Sequence, residues 1–329
     1  MSRIVRFHRL GGPDVLQIDE MALGAPKAGE IRLRVRAIGL NRAEAMFRSG
    51  AYIETPSLPS GLGYEASGEI EAIGEGVTGF AIGQAVSTMP AFSMTEYGVY
   101  GDAAIVPAHA VVEHPSSLSW SEAAAIWMQY LTAYGALVEI GGVAPGDTVI
   151  VTAASSSVGL AAIQIVNAAG ATAIAVTRTR AKCAALENAG ARHVVATEND
   201  DLVAETLRIT KGAGARLVFD PIGGPGVEAL AKATAIGGTI FLYGALSSAP
   251  TPFPLFAAIR KQLTLRGYTL FSVTRDPQKR ERGIRFVLDG LTSGRLRPII
   301  ARSFPLAQIV EAHRYLESNA QIGKIVVTV

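Results

Sequence analysis

The stretch Thr148–Thr177, TVIVTAASSSVGLAAIQIVNAAGATAIAVT, decides the fold class of this chain. It contains no charged residue and is long enough to span a bilayer, for which about 20 residues suffice. However, its two β-branched ends flank a run of serines, Ser155–Ser157, and an apolar segment that carries Gln164 and Asn167. The pattern therefore predicts a buried strand, turn, helix, turn and strand, and it disfavours a membrane span.

The same alternation continues along the chain from Asp147 to about residue 270. Strands are predicted over 148–153, 172–177, 193–197, 215–220 and 238–244, and helices over 157–169, 180–189, 200–210 and 225–235. Apolar strands that alternate with helices are typical of a doubly wound parallel sheet, so the fold class is predicted to be α/β.

The residues on either side of this region have a different pattern. Short alternating runs such as EIRLRVRAIGL (30–40) lie between Gly and Pro clusters, which predicts an irregular, mostly antiparallel β domain. Ser119 and Glu122 have capping-box spacing at the start of a helix-like segment. After residue 270 a charged helix (276–292), a strand (298–303), a helix and the terminal strand KIVVTV are expected, and we infer that this tail rejoins the first domain.

Composition narrows the possible partners and the compartment. The 329 residues are 49% hydrophobic and 18% charged, which excludes a disordered or fibrous chain. The net charge of +2 provides no overall field for nucleic acid or an anionic membrane. The single Cys183 can form neither an internal disulfide nor a cysteine-based zinc site. Because the N-terminal segment has no apolar signal core, the cytoplasm is the expected location.

The turn after the first strand of the alternating region has the features of a phosphate-binding loop. Ala153, Ser156 and Gly159 occupy three spaced positions where small residues let the backbone and a helix N-terminus approach a pyrophosphate. Alternatively, the serines only cap a buried helix. Because a strand precedes the turn and a helix and second strand follow it, we favour dinucleotide binding. The expected pyrophosphate contacts are Ser155, Ser156, Ser157, Val158 and Gly159.

The end of the second strand indicates which dinucleotide is bound. Folds that bind NAD place an acidic residue there, whereas this chain has Thr177 followed by Arg178, Arg180 and Lys182. Three cations suit a 2′-phosphate. The alternative is an ordinary solvated helix start, but cations are unfavourable at a helix N-terminus. The predicted cofactor is therefore NADPH, with Thr177, Arg178 and Lys182 at its adenosine end.

Over essentially its whole length, the chain resembles the medium-chain dehydrogenase/reductase superfamily and, within it, the zinc-independent quinone oxidoreductases. The markers are GGPDVLQI (11–18), GLNRAEAMFRSGAY (39–52), PSLPSGLGYEASGEI (56–70), AASSSVGLAAIQI (153–165) and IGKIVVTV (322–329). The family's usual loop is AxxGxxG, so Ser156 is a departure from it. The resemblance implies a GroES-like catalytic domain over 1–122 and 271–329, a Rossmann NADP-binding domain over 123–270, and a homodimer.

The resemblance also implies that no catalytic zinc is bound. Zinc-dependent relatives hold the metal through Cys, His and Cys, and the matching positions here are Asn41, Tyr64 and Met128, which are not credible zinc ligands. Without a metal to acidify an alcohol or polarise a carbonyl, the feasible reaction is hydride delivery to an electron-poor acceptor. A quinone or an α,β-unsaturated carbonyl fits this requirement.

Several site residues follow from the same resemblance. Asn41 is expected near the nicotinamide, bonded to the substrate carbonyl or the ribose, although it could instead be a left-handed turn residue. Tyr52 is expected to donate to the developing oxyanion, unless it is only a rim tyrosine. Tyr64 is a weaker candidate that could simply fill the space of the metal. Further cofactor contacts are expected from Thr132, Tyr243, Gly244, Ala245, Leu270, Phe271, Ser272 and Lys324, whereas Glu65 and Asp220 are expected to be structural.

Two other functions compete with quinone or enone reduction. An enoyl-thioester reductase would have the same fold, and a non-catalytic NADPH-binding protein with a structural or RNA-binding role belongs to another class. The near-neutral charge disfavours RNA, and the cations of 275–285 alternate with Asp276 and Glu281, as on a solvated helix. The apolar stretch PFPLFAAIRKQLTLRGY (252–268) is the candidate dimer interface.

Overall fold

The computed structural model describes residues 1–329 and shows that the chain folds into two compact units. The first unit consists of Met1–Met128 and Pro298–Val329, and the second consists of Gln129–Arg297. The second unit is thus an insertion between the body of the first unit and its tail.

The strands, numbered along the whole chain, are β1 (Ser2–Phe7), β2 (Leu16–Met21), β3 (Glu30–Leu40), β4 (Glu65–Ile73), β5 (Ala85–Thr88), β6 (Ala103–Pro107), β7 (Val111–Glu113), β8 (Thr148–Val151), β9 (Thr172–Thr177), β10 (His193–Ala196), β11 (Ala215–Asp220), β12 (Thr234–Leu242), β13 (Thr264–Gly267), β14 (Ile300–Pro305) and β15 (Lys324–Thr328). The helices are α1 (Arg42–Ser49), α2 (Trp120–Ala123), α3 (Trp127–Tyr134), α4 (Ser157–Ala168), α5 (Cys183–Asn188), α6 (Leu202–Ile209), α7 (Val227–Ala233), α8 (Leu255–Lys261), α9 (Phe271–Thr274), α10 (Pro277–Thr292) and α11 (Ile309–Glu317). Short 3₁₀ turns cover Pro13–Val15, Ala108–Ala110, Arg180–Lys182, Gly224–Gly226 and Leu306–Gln308, and a π-helical segment covers Gly135–Ile140.

The first unit contains a mixed, mostly antiparallel sheet. Its strand order is β14-β15-β3-β4-β5-β7, with β6 also paired to β3, and β1 and β2 form a separate antiparallel pair. Only β14 and β15 run parallel. The last strand, β15, pairs with β3 so that Ile325 lies opposite Leu40. The end of the chain therefore rejoins the first unit, as the sequence predicts.

The second unit contains a six-stranded parallel sheet of order β10-β9-β8-β11-β12-β13. Counted from β8, this is the 3-2-1-4-5-6 order of dinucleotide-binding folds, in which the order reverses between the first and fourth strands. Ile150, Ile174, Val218 and Ile240 are buried in its core, since helices cover both faces of such a sheet. The predicted α/β fold with a doubly wound parallel sheet is confirmed.

Local sequence signals account for most of these elements. The uncharged stretch 148–177 folds as β8, α4 and β9, and no helix of the structure is long and apolar enough to cross a membrane. Helix α2 begins at the predicted capping box, in which the Ser119 hydroxyl accepts from the Glu122 amide while the Glu122 carboxylate accepts from the Ser119 amide. The five predicted strands of the second unit agree with β8–β12 to within a few residues.

The boundary at which the chain leaves the second unit and returns to the first lies later in the sequence than predicted. Residues 271–297 belong to the second unit, although the sequence predicts them in the first. The reason is the packing of α10: a Cβ on Gly283 would lie 2.8 Å from Leu131, and the rings of Phe286 and Tyr134 are 4.9 Å apart. The hydrophobic pattern of the sequence indicated where the βα alternation stops, but it could not indicate which residues helix α10 packs against.

The basic helix α10 is a surface helix with satisfied charges. Arg282 is paired with Glu139, Arg285 lies 2.9 Å from Glu281, and Arg280 donates to the Thr274 carbonyl at 2.9 Å. These pairs favour the prediction of a solvated helix over a nucleic-acid patch.

Candidate active site and nucleotide loop

Asn41 lies where β3 ends and α1 begins. Its φ of −132° is extended backbone, which is contrary to the alternative of a left-handed turn residue. Its amide nitrogen donates to the Gly39 carbonyl at 3.2 Å and to Glu44 Oε1 at 3.1 Å, and its Oδ1 accepts from Lys324 Nζ at 2.6 Å. Because an ammonium contacts only the oxygen and two acceptors contact only the nitrogen, the orientation of the amide is fixed.

Lys324 and Glu65 form a buried ion pair beside Asn41. Nζ of Lys324 lies 2.5 Å from Glu65 Oε2, and both side chains are wholly buried. Glu65 Oε1 accepts from the backbone amides of Trp127 and Met128 at 2.6 and 3.2 Å. This carboxylate therefore has a structural role, as the sequence analysis expected. Only glycine fits at position 39, where a Cβ would lie 1.9 Å from the Ala124 carbonyl and 2.8 Å from Cε of Lys324.

Glu44 is a buried carboxylate of this site that was not predicted from the sequence. Its Oε1 accepts from Asn41 and, at 3.4 Å, from the Tyr64 amide, whereas no hydrogen bond reaches its Oε2. Burial raises the pKa of Glu44 to about 7, against the opposing influence of the Asn41 hydrogen bond and the Lys324 charge. A signal was present, because Glu44 is the third residue of the helix that follows Asn41, at capping-box spacing.

Tyr64 is wholly buried, with its ring centroid 5.6 Å from that of Phe92. Its hydroxyl donates to Glu54 Oε2 at 3.2 Å and is also hydrogen-bonded to Tyr52. Burial raises the pKa of Tyr64 far above its ordinary value, and the neighbouring Tyr52 and Glu54 raise it further. The ring therefore fills space, as the alternative interpretation proposed, and its hydroxyl also joins Tyr52 to a carboxylate. No sequence pattern pointed to Glu54.

The donor set at the positions of the zinc ligands does not fit zinc. The Asn41 oxygen is engaged by an ammonium, the Tyr64 hydroxyl is protonated, and Met128 offers a thioether, whereas zinc sites use thiolate, imidazole or carboxylate. Nowhere in the chain do three His, Cys, Asp or Glu side chains come together to hold a metal ion. The Lys324 ammonium already supplies a positive charge at this place.

In the second unit, the loop between β8 and α4 forms the expected close turn. Ser156 caps α4 by accepting from the Gly159 amide at 3.0 Å, so the capping interpretation holds for this serine. The hydrogen of the Ser156 hydroxyl is still available to donate. A Cβ on Gly159 would lie 2.6 Å from the Ala154 carbonyl, and Ala153 has a positive φ of 44°. This turn therefore brings the helix N-terminus against the strand end, as a nucleotide loop requires.

The cations after β9 divide into two groups. Arg180 is 3.2 Å from Asp200, whereas Lys182 Nζ lies 3.0 Å from the Ser155 hydroxyl of the loop. Burial lowers the pKa of Lys182, and the nearby positive charge of Arg178 lowers it further. No carboxylate pairs with Arg178, which is exposed at the strand end after the buried Thr177. Two neighbouring cations beside this loop, one of them with its pKa lowered by the other, form a site suited to an anion.

The remaining predicted cofactor residues lie at several places. Tyr243, Gly244 and Ala245 follow the carboxyl end of β12, where the Tyr243 ring stacks on Phe219 at 3.9 Å. Leu270, Phe271 and Ser272 lie at the start of α9, and Phe271 and Ser272 line a groove of about 690 Å³ together with Arg275. Thr132 is buried in α3. Lys324, by contrast, is held inside the first unit with Asn41.

Residues 27–116 match the family model "Alcohol dehydrogenase GroES-like domain", and residues 157–288 match "Zinc-binding dehydrogenase". The quinone oxidoreductase of Lama guanicoe is 30% identical over 99% of this chain and 97% of its own length. Quinone oxidoreductase 1 of Escherichia coli is 31% identical over 98% of each chain. The 2-haloacrylate reductase of a Burkholderia species is 28% identical over 97% of each chain.

Solved structures match over the full length. The Escherichia coli quinone oxidoreductase complexed with NADPH superposes with a TM-score of 0.91 at 29% identity, covering all of both chains. An NAD-dependent alcohol dehydrogenase superposes with a TM-score of 0.90 at 32% identity, also over all of both chains. With relatives at 30% identity or more over nearly their whole length, the chain belongs to the quinone oxidoreductase family of the medium-chain dehydrogenases/reductases.

Proposed function

We propose that this oxidoreductase transfers a hydride from NADPH to a quinone or an activated α,β-unsaturated carbonyl, without zinc. The observation that carries this proposal is the arrangement around Asn41, where the Lys324 ammonium contacts Asn41 and the Tyr64 hydroxyl replaces a metal ligand. Neither group can acidify an alcohol as a zinc ion does. An acceptor whose own conjugation takes up negative charge needs only orientation and a proton donor.

NADPH is the cofactor that the residues of the second unit fit. We infer that the loop Ser155–Gly159 holds the pyrophosphate and that Arg178 and Lys182 hold the 2′-phosphate. The similar Escherichia coli enzyme was solved with NADPH, in agreement with the cofactor predicted from the sequence. The similar alcohol dehydrogenase is described as NAD-dependent, but an acidic residue at the end of β9, typical of NAD sites, is replaced here by Thr177.

The hydrogen bonds of Asn41 favour one of its two proposed roles. Both of its amide hydrogens are engaged, one with Gly39 and one with Glu44, so the side chain has no hydrogen left for a substrate carbonyl. Its Oδ1 has a second lone pair beside the one used by Lys324. We therefore assign Asn41 the acceptance of a hydrogen bond from a ribose hydroxyl of the cofactor, and Tyr52 the donation to the substrate.

In this scheme each group has a defined task. Bound NADPH supplies the hydride. Tyr52 donates its hydroxyl proton toward the oxygen on which negative charge develops, Tyr64 holds Tyr52 in place, and Asn41 accepts a hydrogen bond from the cofactor ribose. The first unit is then the catalytic domain and the second is the cofactor domain. We expect the protein in the cytoplasm, where reduced Cys183 and NADPH are both maintained.

A turnover assay tests this proposal. NADPH oxidation is followed by absorbance with 1,4-benzoquinone, a 2-enone and crotonyl-CoA, each before and after treatment with a chelator. We expect oxidation with the quinone or the enone at a rate that the chelator does not change. Turnover with crotonyl-CoA alone would indicate the enoyl-thioester reductase instead. Tight NADPH binding without any turnover would indicate a non-catalytic protein.

We also propose that two copies associate through the second unit. Strand β13 is the edge of its sheet, and the apolar segment before it exposes Phe253 by 63%, Phe256 by 82% and Ile259 by 67%. An uncovered edge strand beside exposed aromatic side chains is a liability in a monomer. Pairing of β13 with a second copy would satisfy the backbone and cover the apolar side chains at once.

A further inference from the structure

A second buried carboxylate, Glu44, lies beside the ion pair of Lys324 and Glu65. Its Oε1 accepts from Asn41 Nδ2 at 3.1 Å and from the Tyr64 amide at 3.4 Å, whereas no hydrogen bond reaches its Oε2. The ammonium of this cluster, Nζ of Lys324, lies 2.5 Å from Glu65 Oε2 and 2.6 Å from Asn41 Oδ1. Because Glu65 already neutralises this cation, an ionised Glu44 adds an uncompensated buried charge.

The buried charges of helix α1 and of α11, which packs against it, compensate one another. Arg48, one turn after Glu44, is wholly buried and lies 2.5 Å from Glu317 of α11. Nη1 of Arg48 also lies 3.3 Å from Nδ1 of His313. Burial, with a smaller contribution from the Arg48 charge, lowers the pKa of His313 to about 3, so this imidazole is neutral.

The buried tyrosines of the cluster stay protonated. Burial raises the pKa of Tyr64 and of Tyr100 far above the ordinary value, and the charge of Glu44 opposes the ionisation of both. Lys324 and Glu65 are held as an ion pair. In this cluster Glu44 is therefore the group that changes its charge near neutral pH, since burial raises its pKa to about 7.

We propose that the charge on Glu44 sets the preference of the cofactor site between the reduced and the oxidised nicotinamide. Neutral Glu44 favours NADPH, and ionised Glu44 favours NADP⁺. This rests on the proposed function, in which Asn41 accepts a hydrogen bond from a ribose hydroxyl of the cofactor. Glu44 is hydrogen-bonded to Asn41 and acts on the nucleotide through its charge alone.

The physical basis is the difference in charge between the two cofactor forms. The nicotinamide ring of NADPH is neutral, and loss of a hydride leaves a positive charge on the ring of NADP⁺. At an effective dielectric constant of about 20, opposite unit charges about 10–15 Å apart change an equilibrium by roughly fivefold to twentyfold. A neutral Glu44 lacks this attraction, so it lets the oxidised product leave more readily after hydride transfer.

Binding and ionisation are reciprocal. If ionised Glu44 favours NADP⁺, then bound NADP⁺ must lower the pKa of Glu44 by the corresponding amount, and a proton passes from Glu44 to the solvent. NADPH, with its neutral ring, causes no such release. The 2′-phosphate and the cations proposed to hold it, Arg178 and Lys182, are common to both forms, so their effects cancel when the two are compared.

Two dissociation constants test this role. They are measured for NADP⁺ and NADPH at pH 5.5, 7 and 8.5 by quenching of tryptophan fluorescence. In the wild type we expect the ratio of the Kd for NADP⁺ to the Kd for NADPH to fall by about fivefold or more from pH 5.5 to pH 8.5. In Glu44→Gln, which keeps an acceptor for Asn41, the ratio should stay within about twofold, because glutamine gains no charge. The matched control, Glu311→Gln, removes a half-exposed carboxylate of α11 and should follow the wild type.

Titration calorimetry in buffers of different ionisation enthalpy counts the released protons and can be done on the wild type alone. At pH 7, binding of NADP⁺ should release about 0.3–0.5 more protons per site than binding of NADPH, because Glu44 is close to half ionised in the free protein. This difference should be absent in Glu44→Gln. A merely structural role of Glu44 would weaken the binding of both nucleotides together and would change neither the ratio nor the proton count.

The outcomes are distinguishable. A ratio that is independent of pH in the wild type, or equal proton release with both nucleotides, would overturn the role of Glu44 and leave the proposed reductase standing. A Glu44→Gln variant whose ratio still follows the pH would do the same, since another group would then titrate. If this variant does not fold, the proton count of the wild type decides. A wild type that binds neither nucleotide would overturn the proposed function, and the role of Glu44 would fail with it.

Discussion

Nζ of Lys324 lies 2.5 Å from Oε2 of Glu65, and neither side chain is exposed. The pair joins the last strand, β15, to β4, with Gly39 of β3 between them. We predict that Lys324→Met lowers the free energy of unfolding by about 3–5 kcal/mol, because it leaves an uncompensated buried carboxylate. Urea denaturation followed by tryptophan fluorescence measures this loss.

The double variant Lys324→Met/Glu65→Gln serves as the control for this pair. A glutamine at position 65 would still accept from the amides of Trp127 and Met128, and the unpaired charge would be gone. The double variant should therefore lose at least about 1 kcal/mol less than the two single variants together. Strict additivity would mean that the pair is not coupled.

Glu44 should make stability fall as the pH rises from about 4.5 to about 7. Its folded-state pKa is raised to about 7 from an ordinary value of 4.5, so the folded protein holds a proton that the unfolded chain releases between these values. Stability is thus lost from about pH 4.5 upwards until Glu44 is ionised in the folded state above pH 7. Glu44→Gln should remove a loss of roughly 3 kcal/mol at pH 8 and be close to wild type near pH 4.5.

Chemical denaturation at pH 5, 6, 7 and 8 measures this difference. Glu311→Gln, which removes a half-exposed surface carboxylate, controls for the change in net charge. A Glu44→Gln variant whose stability stays parallel to wild type over the whole range would contradict the prediction.

Cofactor preference should depend on Arg178 and Lys182. Replacing either by alanine removes a charge-assisted contact with the 2′-phosphate, so we expect the Kd for NADPH to rise by about 10–100-fold. The Kd for NADH should change by less than about threefold, since NADH lacks that phosphate. Fluorescence titration with both nucleotides gives the ratio.

Arg180→Ala is the matched control for these two cations. Arg180 lies in the same segment but pairs with Asp200, and its side chain is 70% exposed. We expect an unchanged NADPH affinity. An equal loss in all three variants would point to a general charge effect and would not support a specific phosphate site.

The proposed association of two copies depends on the apolar segment before β13. Phe256→Glu places a charge on a side chain that is 82% exposed, so it should convert a dimer into a monomer without unfolding either unit. Sedimentation equilibrium measures the mass. The control is Ile82→Glu, which changes a similarly exposed apolar side chain (73%) in the first unit. This variant should have the same mass as the wild type. A wild type that is already monomeric would contradict the proposal.

The parallel sheet was predictable because its signal is local. Each strand of β8–β12 is an apolar run bounded by turn residues, and the nucleotide loop is contiguous, Ser155–Gly159. A cation such as Lys182 could be placed near this loop because the ends of β8 and β9 are neighbours in such a fold.

The candidate site around Asn41 and Tyr64 was less predictable because its contacts are long-range. Glu54 meets Tyr64 through a segment without regular structure, so no spacing rule connects them. The ion pair of Lys324 with Glu65 spans most of the chain, and Lys324 was predicted in the cofactor cleft on family resemblance alone. The pKa of Glu44 depends on complete burial, which three-dimensional packing determines.

The return of the tail to β3 sets an order of events during synthesis on the ribosome. Residues 129–297 emerge complete while the first sheet still lacks β14 and β15, so the inserted unit can fold before its host does. Until the last strand appears, Glu65 has no Lys324, and the open edge of β3 is exposed to the solvent and to other nascent chains. Loss of a few C-terminal residues would therefore damage the N-terminal domain, not the domain that was translated just before them.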